Sequence, residues 1–154
     1  MNLRPKIALY EPDIPQNTAA IIRLGACFEM KIHIIEPCGF NLNDPRFKRI
    51  TMDYAKLVKI VKYENFKSFI KENSKSRIIL MTTKAKKPYF RLHFKKKDIL
   101  LFGRESAGVP QEIHRQIKNK IKVPLSKKAR SLNVAMSVAI VASEALKQNN
   151  YFND

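Results

Sequence analysis

The sequence predicts an α/β fold with a mainly parallel sheet flanked by helices. Short apolar runs alternate with stretches of helical spacing, the pattern of strands joined by helical crossovers. Runs such as residues 99–102 (ILLF) are apolar at every position, as in strands covered on both faces. The chain has 154 residues, of which 45% are hydrophobic, which suits one folded domain over residues 1–154 with a sizeable core.

Residues 7–10 read as the first strand. Pro12 and Pro15 interrupt the next segment, so residues 11–16 read as a loop. Asn17 suits the N-cap of a helix running to about Phe28, with Ile21, Leu24 and Phe28 at helical spacing. Three and four residues away from Arg23 stand Ala19, Ala20, Ala26 and Cys27. Such small neighbours let another element approach closely. Residues 32–35 form a second strand closed by Pro37 and Gly39, in which His33 reads as structural. Residues 43–54 read as helical in part, with Arg46, Lys48 and Arg49 exposed. A short third strand is expected at 57–61, an amphipathic helix at 64–73 carrying Phe66, Phe69 and Ile70, and a fourth strand at 77–82.

Residues 84–97 contain Lys84, Lys86, Lys87, Arg91, Lys95, Lys96 and Lys97 and no acid, with Tyr89, Phe90 and Phe94 between them. Charge with interleaved aromatics suits phosphate neutralisation and base stacking. The ordinary alternative is a solvated loop whose aromatics anchor in the core. RNA contact is the expectation for the lysines, and the aromatics stay open.

The run at 99–102 breaks at Gly103, and two of the four glycines, Gly103 and Gly108, lie in this loop with Arg104 and Glu105. A buried strand ending in a glycine loop with charged residues is a common ligand position in α/β proteins, and a plain strand-to-helix connection is an even alternative. Pro110 suits the first turn of a helix over 111–118, where His114 reads as exposed. Residues 121–125 read as a last strand, ended by Pro124. The final helix is expected from about Ser131 to Lys147. Its first half is apolar all round, which predicts burial on most sides. Arg130, Ser131, Leu132 and Asn133 bring guanidinium, hydroxyl and amide groups to its mouth, where free N–H groups and the positive dipole end lie.

The net charge is +17, more than solubility needs, which indicates a polyanionic partner, nucleic acid first. An anionic membrane suits less well, because no basic amphipathic helix stands out. A compositional bias toward lysine accounts for part of the excess. Cys27 and Cys38 are the only cysteines and read as small, mostly buried residues in a reducing compartment. No spacing pairs them with His33, His93 or His114 as metal ligands, so no metal is expected. No signal peptide or membrane span is evident, the apolar run at 134–142 being too short. A cytoplasmic location is expected. No glycine follows the first strand, so the dinucleotide-binding fingerprint is absent.

Three stretches together resemble the SPOUT superfamily of RNA methyltransferases, in its ribose 2′-O branch: residues 17–24 (NTAAIIRL), residues 102–110 (FGRESAGVP), and residues 121–125 (IKVPL) with 130–133 (RSLN). Residues 9–15 (LYEPDIP) and 33–40 (HIIEPCGF) make the chain similar to the minimal tRNA wobble-nucleotide methyltransferases of the TrmL type. The resemblance covers nearly the whole chain. It departs at Ala135 and Met136, where related enzymes often carry Ser and Asn.

The resemblance implies a deep trefoil knot in the C-terminal part, a homodimer, and S-adenosylmethionine held in the knot; the small residues around Arg23 lead to the expectation that the dimer packs partly through the helix from Asn17 to Phe28. It assigns the adenosine to Met81, Thr82, Gly103, Ile121, Val123, Leu125, Ser131 and Leu132, with Gly103 allowing close approach to the backbone. It implies Arg23 as the central catalytic residue, with Asn17, Glu105, Ser131 and Asn133 positioning the same group or shaping the site. Arg46, Lys48, Arg49, Lys84, Lys86 and Lys87 are expected to hold phosphates of a tRNA anticodon loop. The alternatives are a non-catalytic RNA-binding protein of the same fold, or an enzyme acting on ribosomal RNA.

Overall fold

The computed structural model describes residues 3–152. Six strands form one sheet: β1 (Lys6–Tyr10), β2 (Ile32–Ile35), β3 (Ile60–Tyr63), β4 (Ile78–Met81), β5 (Ile99–Phe102) and β6 (Asn119–Ile121). Their order is β3-β2-β1-β5-β4-β6, and every pairing is parallel. The helices are α1 (Pro15–Phe28), α2 (Pro45–Ala55), α3 (Phe66–Glu72), α4 (Gln111–Gln116) and α5 (Val134–Gln148). The expected parallel α/β class is the one the chain adopts.

Alternate strand residues point to opposite faces. Ile7, Leu9, Ile32, Ile34, Leu100 and Phe102 pack with Ile21 of α1 and Val138, Val141 and Leu146 of α5. On the other face Ala8, Tyr10, Ile35 and Leu101 pack with Phe69 of α3 and Ile113 of α4. Burying each large aliphatic or aromatic side chain contributes roughly 1.5–3 kcal/mol. The strands are therefore apolar throughout because both faces are covered.

Several boundaries differ from the sequence reading. Helix α1 begins at Pro15, with Ile14 at the cap position and no side-chain cap bond, so Asn17 is not the N-cap. Proline suits the first turn, where its missing N–H is not needed, and Asn17 is left free for other contacts. Strand β3 lies later than 57–61, and Leu57 is an exposed residue before it. Strand β6 occupies Asn119–Ile121, earlier than 121–125, because it pairs with Ile79–Met81 of β4. Helix α5 starts at Val134, where the Asn133 side chain accepts from the N–H groups of Ala135 and Met136. Its first half is only partly covered, and Met136 is 61% exposed. Cys27 is exposed, whereas the half-buried Cys38 thiol is pushed up to about 12, by burial first and then by Glu36. No helix of the described residues is long and apolar enough to cross a membrane.

His33 is structural, as its place in a strand suggested. Its ring is buried and stacks on Tyr63 at 5.4 Å between centroids. The Tyr63 hydroxyl accepts from Asn73 Nδ2 at 3.2 Å and lies 2.8 Å from His33 Nδ1. Burial, followed by Lys6, Lys31 and Lys59, lowers the imidazole from 6.5 to about 4. The folded form thus refuses a proton that the unfolded chain accepts below pH 6.5. The contribution is complete above that pH and is lost as pH falls towards 4. Denaturant titrations of the protein should show a decline over this window, of at most about 1.4 kcal/mol per pH unit. His33→Gln should remove that share of the decline and leave the part due to carboxylates.

Candidate functional site

Parallel α/β sheets bind ligands beyond the carboxyl ends of their strands, where strand order reverses. Here the reversal lies between β1 and β5. A cavity of about 460 Å³ opens beside it, lined from the ends of β4 and β5, the start of α1, residues 123–125 and residues 131–137.

The loop after β5 is a tight hairpin. Arg104 N–H donates to the Gly108 carbonyl at 3.2 Å, and Gly108 N–H returns a bond to the Arg104 carbonyl at 2.9 Å. A Cβ on Gly103 would sit 2.6 Å from the Gly108 carbonyl carbon and 2.7 Å from its Cα. Gly103 is therefore required by the hairpin's own backbone. This requirement stands beside the close approach of a ligand expected of it, and Gly103 also lines the cavity. Gly108 has φ +66, which favours glycine.

Three acids tie this hairpin to the chain after β1. Arg104 Nη2 donates to Glu11 Oε2 at 3.1 Å, with the guanidinium 5.2 Å from the centre of the Tyr10 ring. Glu105 Oε2 accepts from the Asp13 N–H at 3.0 Å, and its Oε1 accepts from Asn17 Nδ2 at 3.4 Å. Ser106 Oγ donates to Asp13 Oδ2, while Asp13 Oδ1 is buried with no other partner. Burial, then the Asp13 carboxyl, raises Glu105 above the usual carboxylate range, and the bond from Glu105 holds Asp13 below it. Asn17 Oδ1 in turn accepts from Asn133 Nδ2 at 3.0 Å. Glu105, Asn17 and Asn133 are thus one chain of hydrogen bonds, from the hairpin through the first turn of α1 to the cap of α5.

The cavity brings together Asn17, Glu105, Ser131 and Asn133 with Met81, Thr82, Gly103, Val123, Leu125, Leu132 and Lys84. Ile121 stands behind the wall: its side chain is 1% exposed, and its carbonyl accepts from Thr82 N–H at 2.9 Å. Arg23 does not line the cavity. It is exposed on α1, with its guanidinium 4.7 Å from the centre of the Tyr54 ring. Lys48, Arg49, Lys86 and Lys87 are exposed, and Arg46 is paired with Asp44 at 3.1 Å. Of the aromatics left open, Phe94 is core, Tyr89 packs against the core and Phe90 is 51% exposed.

Two residues escaped the sequence reading. Asp13 sits in a proline-bounded loop and carried no signal for its carboxyl partner. His114 was expected to be exposed, yet it lines the cavity and its Nε2 is buried without a partner. Burial, then Lys120 and Lys84, lowers its pKa, so the neutral ring offers a hydrogen bond to a ligand. Apolar walls with a few placed polar groups suit a nucleoside-like ligand.

Gly103→Ala should open the hairpin, with cofactor affinity and thermal stability falling together in calorimetry. Asn133→Ala should cost about 1 kcal/mol through the lost helix cap and also release Asn17. Unchanged stability in both variants would contradict the hydrogen-bond chain.

The SpoU rRNA Methylase family model matches residues 4–143. A relative from Beijerinckia indica, named tRNA (cytidine(34)-2′-O)-methyltransferase, is 44% identical over 144 residues, covering 92% of this chain and 90% of the relative. A relative of the same name from Escherichia coli (strain K12) is 35% identical over 147 residues, covering 94% of each chain. A solved structure described as "Structural insights into the 2-OH methylation of C/U34 on tRNA" superposes with TM-score 0.92 at 31% identity, covering 98% of this chain and 99% of that one. An AdoMet-bound rRNA methyltransferase from Sinorhizobium meliloti shares the fold, with TM-score 0.85 at 23% identity over 96% of this chain and 57% of its own. With family motifs matched along nearly its whole length and the fold in common, the chain belongs to the SpoU rRNA methylase family.

Proposed function

We propose that this chain methylates the ribose 2′-hydroxyl of the wobble nucleotide, position 34, of tRNA, with S-adenosylmethionine as methyl donor. The observation that carries the reading is the 44% identity, over 92% of the chain, to a tRNA (cytidine(34)-2′-O)-methyltransferase. The cofactor would supply a sulfonium-bound methyl group: its bond to sulfur would break as the bond to the hydroxyl oxygen forms, the thioether would leave, and the hydroxyl proton would pass to solvent.

The residues present fit that cofactor. Met81, Val123, Leu125 and Leu132 offer apolar walls to the adenine, and the unpartnered His114 Nε2 is a hydrogen-bonding point within the same lining. Thr82 and Ser131 add hydroxyls to the same lining as partners for the ribose, and Ile121 backs the wall. Gly103 acts by keeping the hairpin closed. Asn17, Glu105 and Asn133 hold the three segments around the acceptor in register.

Arg23 is the proposed orienting group for the ribose and phosphate, stabilising the developing alkoxide. A guanidinium keeps its proton in nearly every protein setting, so this role suits it better than that of a base. Its exposure beside Tyr54 fits a homodimer in which α1 meets the partner, bringing Arg23 to a site completed between protomers. Exposed Ile14 and Met136 give that interface apolar surface. A deep trefoil knot, formed where the segment before α5 returns to the cavity, completes the reading. Arg46, Lys48, Arg49, Lys84, Lys86 and Lys87 hold anticodon-loop phosphates. Single-stranded loops let a base splay out and expose its 2′-hydroxyl. The location is the cytoplasm, where tRNA is modified.

Mass spectrometry of nucleosides from tRNA incubated with the protein and S-adenosylmethionine should show a 2′-O-methylated nucleotide at position 34. Methylation of ribosomal RNA alone, or of nothing, would overturn the reading. Arg23→Ala should lower methyl transfer at least 100-fold while cofactor affinity and the dimer mass in light scattering stay unchanged. Arg23→Lys should restore little, since lysine lacks the planar fork.

A further inference from the structure

The sheet has a second charged edge, opposite the cavity. Its register sets Ile7 beside Ile32 and Ile32 beside Ile60. The residues before these, Lys6, Lys31 and Lys59, therefore form a row across three adjacent strands at their amino ends. The ladder continues through the row: Ile7 N–H donates to the Lys31 carbonyl and Ile32 N–H to the Lys59 carbonyl, each at 3.0 Å. By strand alternation the three side chains share the face of Ala8, His33 and Val61. Neighbouring strands lie about 4.8 Å apart, so the three lysines leave the backbone at that spacing.

The arrangement opposes folding. Like charges directly across a ladder destabilise it. Lys6 is half-buried, and its ammonium is held below the usual lysine range, by burial first and then by Lys31 and Lys59. The same three charges help depress His33. The nearby acids are engaged elsewhere. Glu29 pairs with Arg4 at 3.0 Å, and Asp98 is buried against Arg77 at 2.6 Å. No lysine takes part in the ion pairs among the described residues. The exposed Lys95, Lys96 and Lys97 lead into β5 at the same end of the sheet.

We propose that Lys6, Lys31 and Lys59 form a second RNA-binding surface that holds backbone phosphates of the substrate outside its anticodon loop. The inference rests on the proposed tRNA methylation. The row lies about 15 Å from the cavity, the length of β1 at roughly 3.3 Å per residue. That is too far for contact with the methylated nucleotide and near enough for the adjoining strand of the same molecule. The surface therefore adds affinity without touching the chemistry.

The test compares Lys6→Gln/Lys31→Gln/Lys59→Gln with Lys62→Gln/Lys67→Gln/Lys147→Gln, which removes the same charge from exposed positions outside the row. The first triple should weaken tRNA binding about tenfold and raise KM alike, with kcat and cofactor affinity unchanged. The slope of log affinity on log salt should shrink by about 2, since each phosphate contact contributes roughly 0.7–0.9. The control triple should leave the slope as in the wild type. Because Lys6 is half-buried, Lys31→Glu/Lys59→Glu repeats the measurement at exposed positions and should weaken tRNA binding in the same way. Equal loss in both triples would make net charge the cause and overturn the row, as would an unchanged slope. Loss of binding to phosphatidylserine vesicles with tRNA affinity intact would assign the row to a membrane and also overturn it. Failure of the methylation reading shows separately, as wild-type protein that places no methyl group on position 34 of tRNA.

Discussion

The carboxyl of Glu105 is the point on which the rest of the site depends. It accepts from the Asp13 backbone and from Asn17, and Asn17 in turn accepts from the residue that caps α5. Three segments far apart in sequence meet through two side chains, Glu105 and Asn17. Its raised pKa is a consequence of that position, because burial first, and then the facing Asp13 carboxyl, disfavours its charged form. Removing one member of such a network leaves buried polar partners unpaired, which costs more than the bond itself contributed.

The sheet explains why those segments come together. β1 and β5 are neighbours at its centre, and their carboxyl ends open towards the same side. Both are buried on both faces, so neither can tilt or slide without disturbing two layers of core. The hairpin after β5 and the turn after β1 inherit that rigidity. Arg104 adds a lateral link to Glu11, whose φ of 41 turns the chain sharply at the end of β1.

Much of this was legible in the sequence, for identifiable reasons. Ile99–Phe102 announced a doubly covered strand because covered strands lose the alternation of half-exposed ones. Gly103, Ser131 and Asn133 stood out because a glycine break and a polar tetrad beside an apolar helix are local signals. Asn17 was located as important, but its task was misread: it looked like a cap and instead bridges Glu105 to Asn133. Asp13 and His114 could not be found, since a carboxyl pair 92 residues apart and a ring turned into a cavity leave no periodic trace. The placement of Arg23 outside the cavity had the same cause. Helical spacing describes a face and not what that face meets. The lysine row was invisible for a related reason, because it exists only in the register of β1, β2 and β3.

The parallel pairing of β1 with β5 also governs how the chain comes into being. Lys6 lies beside Ile99, so the central strand waits for 99 − 6 = 93 further residues before its second neighbour exists. At about 5–20 residues per second of synthesis, that is a delay of roughly 5–20 s. During it β1 has only β2 as a partner and one edge open. The hydrogen bond from Asn133 to Asn17 spans 116 positions and closes later still. The chemistry-bearing corner therefore assembles late, and a chain that ends before residue 133 lacks the side chain that ties α1 to α5.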